Sequence, residues 1–270
     1  MEAQPRADAH RDDWDRHWEH FGQAASVNPA VSYRRRLITE LLGTLSSTDR
    51  LLDIGSGQGE LAIELKLAYP DAQVRGIEYA LEGVRRSQEA AGQAGVAVSF
   101  AQRDLVAPAT LDDTERRWAT VAVCSEVLEH VDRPDLLLQR AGDYLGQGCR
   151  LVVTVPGGPR SAFDRHIGHR QHYTEAGLRA LLEGADIEVQ HVLRAGFPFF
   201  NLYKLATFAR SKQLIHEFDE AAPDSKPSRL ADGMLRFFGQ AFELNLRDSR
   251  LGWQLVAVGR YQGAVPDHEV

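Results

Sequence analysis

The chain has 270 residues, 43% of them apolar, and a formal net charge of −7. That much apolar material can bury a core, so disorder throughout is excluded, and the negative balance excludes a general attraction for a phosphate backbone. A small-molecule substrate is expected, with no nucleic-acid partner.

The two cysteines, Cys124 and Cys149, fall in predicted strands and read as buried thiols of a reducing, cytoplasmic setting, not as a disulfide framework. Residues 1–25 are polar and charged, so no signal peptide is expected, and no apolar run is long enough to cross a bilayer. In chain order, Trp14, Trp18 and Phe21 recur at helical spacing and predict a short amphipathic helix, packed on the core or lying as a flap over a ligand. After the basic start Tyr33-Arg34-Arg35-Arg36, the segment Leu37 to Leu45 predicts a helix, and residues 1–49 together form a helical approach segment.

From residue 50 strands and helices alternate: strand Leu51 to Ile54, helix Glu60 to Ala68, strand Val74 to Glu78, helix Leu81 to Gly92, strand Val96 to Phe100. Strand Trp118 to Cys124, helix Pro134 to Leu145 and strand Cys149 to Val155 follow. Thr174 caps a helix reaching Gly184, Ile187 to Leu193 is a sixth strand, and Gly252 to Gly259 a last one. Unbroken apolar strands between helices call for a parallel sheet covered on both faces, a three-layer α/β fold. Residues 197–250 are too long for a plain strand connection and read as an inserted cap of two aromatic-rich helices, Phe199 to His216 and Leu230 to Asn245, joined by a link at 219–229. Residues 50–196 and 251–260 then make the core, and 261–270 a flexible tail.

The stretch DIGSGQGE, residues 53–60, places Gly55, Gly57 and Gly59 between a strand and a helix, where bare backbone and a positive helix end can meet a ligand. A dinucleotide site uses G-x-G-x-x-G, and the spacing here is one residue shorter. No Walker lysine follows, which argues against nucleotide triphosphate hydrolysis. Glu78 ends the second strand, where a carboxylate can accept from two ribose hydroxyls in either cofactor class, and Asp104 follows the third strand, where it can accept from an adenine amine.

Together DIGSGQGE, GIE, QRDL and CSEVLEHV (residues 124–131) resemble the class I S-adenosylmethionine (SAM)-dependent methyltransferases, and within them the small-molecule and quinone O-methyltransferases. The resemblance implies a seven-stranded, mostly parallel Rossmann-like sheet with an antiparallel last strand, and SAM at the carboxyl ends of the first strands. It matches Asp53, Gly55, Ser56, Gly57 and Gly59 to the first cofactor loop, and Glu78 and Tyr79 to the ribose. Asp104 and Leu105 match the adenine side, and Ser125 and Glu126 the loop beside the methionine. It makes the protein an enzyme that methylates an oxygen of a small, partly apolar metabolite. N- or C-methylation, or a catalytically silent SAM-binding interaction protein, stays open.

His130 within EVLEHV reads as structural or catalytic. In DRHIGHRQHYT, residues 164–174, His166, His169 and His172 recur every third residue. That suggests zinc, but only Asp164 is at hand to complete a ligand set and no metal is expected. Such a loop over the open end of the sheet can instead touch substrate. His169, with an ordinary pKa near 6.5, is a candidate base; Arg165, Arg170 and Tyr173 are candidate acceptor contacts. Phe199 and Tyr203, with Met234, Leu235 and their aromatic neighbours, would either pack the two cap helices against each other and the sheet or, beyond that, give the cap an apolar channel or a peripheral membrane face. A homodimer is possible on the same reading.

Overall fold

Asn28 opens the first long helix, its side chain accepting from the Ala30 N–H at 2.9 Å while Pro29 occupies the first helical position. The computed structural model describes residues 14–15, 28–108, 111–220, 233 and 237–263. Trp14 is helical, whereas Trp18, Phe21, Met234, Leu235, most of the 219–229 link and the end of the tail lie outside the described residues. Helix α1, Pro29–Leu42, absorbs the basic run predicted to precede it, because Tyr33, Leu37, Ile38 and Leu42 form one buried stripe. It stops at Gly43, whose φ of 62° a side chain disfavours, three residues short of the predicted end. Asn28→Ala is expected to cost about 1 kcal/mol in urea unfolding, with Asn28→Asp restoring most of it; equal midpoints for all three chains would refute the cap.

Strand β1 (Arg50–Ile54), helix α2 (Glu60–Ala68), strand β2 (Gln73–Glu78), helix α3 (Leu81–Ala94) and strand β3 (Val98–Gln102) follow within two residues of the predicted boundaries. Strand β4 (Ala119–Ser125) leads through a 3₁₀ turn, Leu128–His130, to helix α4 (Pro134–Gly142) and the long strand β5 (Leu145–Pro156). The predicted helix to Leu145 is cut short there, since Leu145 already pairs with Ala119 in the sheet. A short helix α5 (Ala162–His166), helix α6 (Glu175–Glu183, capped by Thr174) and strand β6 (Ile187–Ala195) precede the cap, and strand β7 (Gln254–Tyr261) closes the sheet.

The seven strands lie in the order β3-β2-β1-β4-β5-β7-β6, with β7 antiparallel to both neighbours and the other paired strands parallel. Alternation along β1 divides the core. Leu52 and Ile54 face the layer with α4 and α6, while Leu51 faces the layer with α1 and α2 and puts Asp53 on that same side.

The cap holds two helices where one was predicted, α7 (Phe199–Ala209) and α8 (Ser211–Glu220). The Ser211 hydroxyl donates to the carbonyls of Thr207 and Phe208 and ends the first helix. The second predicted cap helix is helical at 237–241 and tightens to 3₁₀ over Phe242–Leu244. Phe200 and Phe242 lie on Tyr33 of α1, and Tyr203 and Phe238 lie on Phe242 and on each other, at ring spacings of 5.3–5.9 Å, so the inner face of the cap is core. No helix among the described residues is long and apolar enough to cross a membrane.

Candidate active site

The chain winds outward from β1 through β2 to β3, then returns to place β4 on the other side of β1. A parallel sheet opens a crevice at such a reversal, above the carboxyl ends of its strands. Here it holds a cavity of about 390 Å³, the size of a small-molecule site. Ile54 and Gly55 line it from β1, Glu78 and Tyr79 from β2, Asp104 and Leu105 beyond β3, and Glu126 and His130 beyond β4, and Trp14 and Arg170 line it as well.

Gly55 sits at φ 70°, and a Cβ there would stand 2.5 Å from Cγ2 of Val127, so both backbone and space demand glycine. The N–H groups of Gly55 and Ser56 donate to the Ile77 carbonyl at 2.9 and 3.0 Å, turning the loop back over β2. Glu78 grips it from below: one carboxylate oxygen accepts from Gly57 N at 2.8 Å, the other from Ala80 N at 2.9 Å. Burial pushes the Glu78 carboxyl up, and these N–H groups pull it partly back. Ser87, on α3, adds a hydroxyl bond to the Gly57 carbonyl at 3.0 Å, a support no local motif announces. Asp104 faces the cavity and folds its own turn, accepting from the N–H groups of Val106 and Ala107 at 2.9 and 3.2 Å.

Other expected cofactor residues stand behind this surface. Asp53 is 2% exposed and lies below the loop, where the Ala62 N–H in the first turn of α2 reaches it. Ser56, Gly57 and Gly59 build the turn without lining the cavity, and Ser125 shares a 2.9 Å hydroxyl bond with Thr154. Glu126 is held at φ 55°, a conformation that costs a side-chain residue energy and marks functional turns. Thr154 and Gln254 donate to its Oε1 at 3.2 and 3.0 Å, and Arg34 of α1 pairs with its other oxygen at 3.6 Å. Arg34 was unreadable as a site residue because 92 positions of chain separate the pair, counting from 34 to 126.

The histidine-rich segment separates on folding. His166 and Arg165 end α5 and are exposed, and neither lines the cavity. Tyr173 is buried with its hydroxyl on the Leu128 carbonyl at 2.9 Å, which makes it an anchor and not an acceptor contact. Arg170 does line the cavity and pairs with Asp132 at 3.2 Å. His130 faces the cavity with Trp14 edge-on at 4.9 Å on one side and His169 edge-on at 4.6 Å on the other, so His169 stands one layer back. Burial, with His130 beside it, drives the His169 pKa well below its ordinary value, so this imidazole is a weaker base than the one with a pKa near 6.5 that was expected. Phe199 and Tyr203 do not line the cavity either; the Tyr203 hydroxyl donates to Asn28 at 3.2 Å, and the cap buries these rings against α1.

Residues 29–192 match the family model described as a methyltransferase domain. Release factor glutamine methyltransferase of Neisseria gonorrhoeae is 28% identical over 119 residues, 43% of each chain. Ubiquinone biosynthesis O-methyltransferase of Cupriavidus pinatubonensis is 30% identical over 106 residues, 39% of this chain and 41% of that one. The chain thus spans about two-fifths of the length of these curated relatives. Phosphoethanolamine N-methyltransferase 2 of Haemonchus contortus, solved with S-adenosyl-L-methionine, superposes with a TM-score of 0.56 at 14% identity, over 85% of this chain and 52% of that one. Glycine loop, strand order, carboxylate-lined crevice and a family match over more than half of its length agree: the chain belongs to the methyltransferase-domain family and has the fold of its SAM-dependent enzymes.

Proposed function

We propose that the protein transfers the methyl group of SAM to a small, partly apolar metabolite, with an oxygen as the acceptor atom. The observation that carries this reading is the cavity at the sheet reversal, where Gly55, Glu78 and Asp104 face one space from the ends of three successive strands. Glu78 would take the ribose hydroxyls while holding Gly57, and Asp104 and Leu105 would take the adenine. Glu126 and His130 would border the sulfonium. Carboxylates on this path also favour a cationic donor over a second anion.

Methyl transfer from a sulfonium proceeds once donor and acceptor stand in line, so positioning and exclusion of water supply most of the acceleration. Trp14 against His130, with Val127 and Val131 on the same wall, would make the acceptor end of the cavity partly apolar. The free, buried Cys124 and Cys149 fit a reducing, cytoplasmic setting.

Nitrogen is the second reading, favoured by the N-methyltransferase fold match. Incubation with methyl-labelled SAM and matched panels of phenols and amines tests both. Label in an ether product is expected, label in an amine would move the acceptor to nitrogen, and SAH binding without transfer to any panel member would leave a silent SAM-binding protein.

A further inference from the structure

A second cavity, of about 250 Å³, opens on the face of the sheet that carries Leu52. Its cause is topological. A crossover between parallel strands is usually a helix that covers the sheet, but residues 103–118, which lead from β3 to β4, hold no helix among those described. The sheet is left partly bare there. In register, Arg75 stands between Leu52 and Ser99, and Ile77 between Ile54 and Ala101; Ser99 is exposed, and Arg75 and Ala101 are half-buried. Trp118 and Tyr144, just before β4 and β5, line the same space. It can take a ring, since a cavity of roughly 150 Å³ already holds a benzene.

Two polar groups in this cavity are left short of partners. Tyr144 is 4% exposed, and its buried hydroxyl makes no hydrogen bond of good geometry among the described residues, although the Arg103 charge is near enough to oppose the rise that burial gives its pKa. Arg75 is the other. Its guanidinium lies 4.2 Å from the centre of the Trp118 ring and donates one N–H to the Thr114 carbonyl at 3.0 Å, yet it pairs with no carboxylate among the described residues. The acids nearby are engaged elsewhere. Glu115 pairs with Arg103, and Asp112 Oδ1 closes its own turn, accepting from the Thr114 and Glu115 N–H groups at 2.8 and 3.1 Å. A fixed guanidinium beside an apolar floor, with a buried phenol to hand, is complementary to an anion carried on an apolar body.

We propose that this cavity is a second ligand site, for a small organic carboxylate with an apolar ring or chain. The body would lie on Leu52, Ile77 and Ala101, the carboxylate would pair with Arg75, and a neighbouring oxygen would meet the Tyr144 hydroxyl. Inorganic phosphate would leave the apolar floor in water, and a neutral ring would leave Arg75 unmatched. Arg103 lines both this cavity and the cofactor cavity, so the two sites share a wall while each has its own floor. Binding here does not depend on the methyl-transfer reading.

Of the four tryptophans, Trp118 lines this cavity and Trp14 the cofactor cavity, so their indole N–H signals read the two sites separately. The full chain would be labelled with ¹⁵N-tryptophan and the two signals assigned with Trp14→Phe and Trp118→Phe. Salicylate is expected to shift the Trp118 signal saturably with a Kd on the order of 1 mM, the affinity that roughly ten non-hydrogen atoms allow. Saturating S-adenosylhomocysteine should move Trp14 and leave the salicylate affinity within a few-fold. Benzyl alcohol, without the charge, and inorganic phosphate, without the apolar body, should each bind about 10-fold more weakly or worse, and neither comparison needs a variant. Arg75→Gln should weaken salicylate by about 10-fold and Tyr144→Phe by about 5-fold. Absence of a saturable Trp118 shift, displacement of salicylate by S-adenosylhomocysteine, equal binding of benzyl alcohol or phosphate, or either folded variant binding like wild type would each overturn the site. A Trp14 signal indifferent to S-adenosylhomocysteine, with salicylate still bound at Trp118, would defeat the SAM reading alone.

Discussion

Glu78→Ala is expected to weaken S-adenosylhomocysteine binding by about 2–4 kcal/mol, on the order of 100-fold, in isothermal calorimetry. The reason is that Glu78 does two things with one carboxylate. It lines the cavity, and it accepts from Gly57 N and Ala80 N, so its removal strands two buried donors and frees the glycine loop from β2. Glu78→Gln should fall between, since an amide presents one acceptor and one donor to two N–H groups. Urea unfolding of the ligand-free chains separates loss of fold from loss of site. Affinity within twofold of wild type for the alanine variant would remove Glu78 from the cofactor site.

Asp53→Asn is expected to stabilise the ligand-free chain above neutral pH and to have little effect near pH 4. Burial pushes the Asp53 carboxyl up to about 7, with Arg35 opposing and Glu78 reinforcing the rise. The sign follows from linkage: a folded-state pKa above the unfolded value means that the folded chain holds the proton more tightly. Stability from this group is therefore complete below the ordinary carboxylate range and is lost as pH rises toward 7. At 1.36 kcal/mol per pKa unit, the window from 3.8 to about 7 corresponds to an effect on the order of 4 kcal/mol at most. Asparagine does not titrate, so the gap between variant and wild-type urea midpoints should widen from pH 4 to 7 and then level off. A gap independent of pH would mean that Asp53 ionises normally beneath the loop. This outcome would also bear on why an acidic residue sits there: its Ala62 partner in the first turn of α2 favours a carboxylate, while the surrounding apolar layer opposes its charge.

The sequence by itself determined the order of strands and helices, the glycine loop and the carboxylates at the ends of β2 and β3. These follow from local physics: apolar runs of strand length, glycines where φ must be positive, and a cap residue such as Thr174 at a helix start. His130 could be picked out because it follows the end of β4, and Arg170 because a guanidinium in the histidine-rich loop can hold an anionic group. Only the tertiary structure decided which histidines meet. Three-residue spacing puts His166 with His169 and His172, but Ser161 and Asp164 fold a capping box that ends in a short helix and turns His166 outward. Glu129, a residue the sequence offers as one more polar position in a turn, is instead driven inside against His130 and His169. The cap shows the same limit. Its aromatic residues are equally apolar whether they line a channel or fill a core, and it is the stripe on α1, more than 150 residues earlier in the chain, that makes them core. Contacts between distant segments depend on how whole elements dock, and no local pattern of residues encodes that choice.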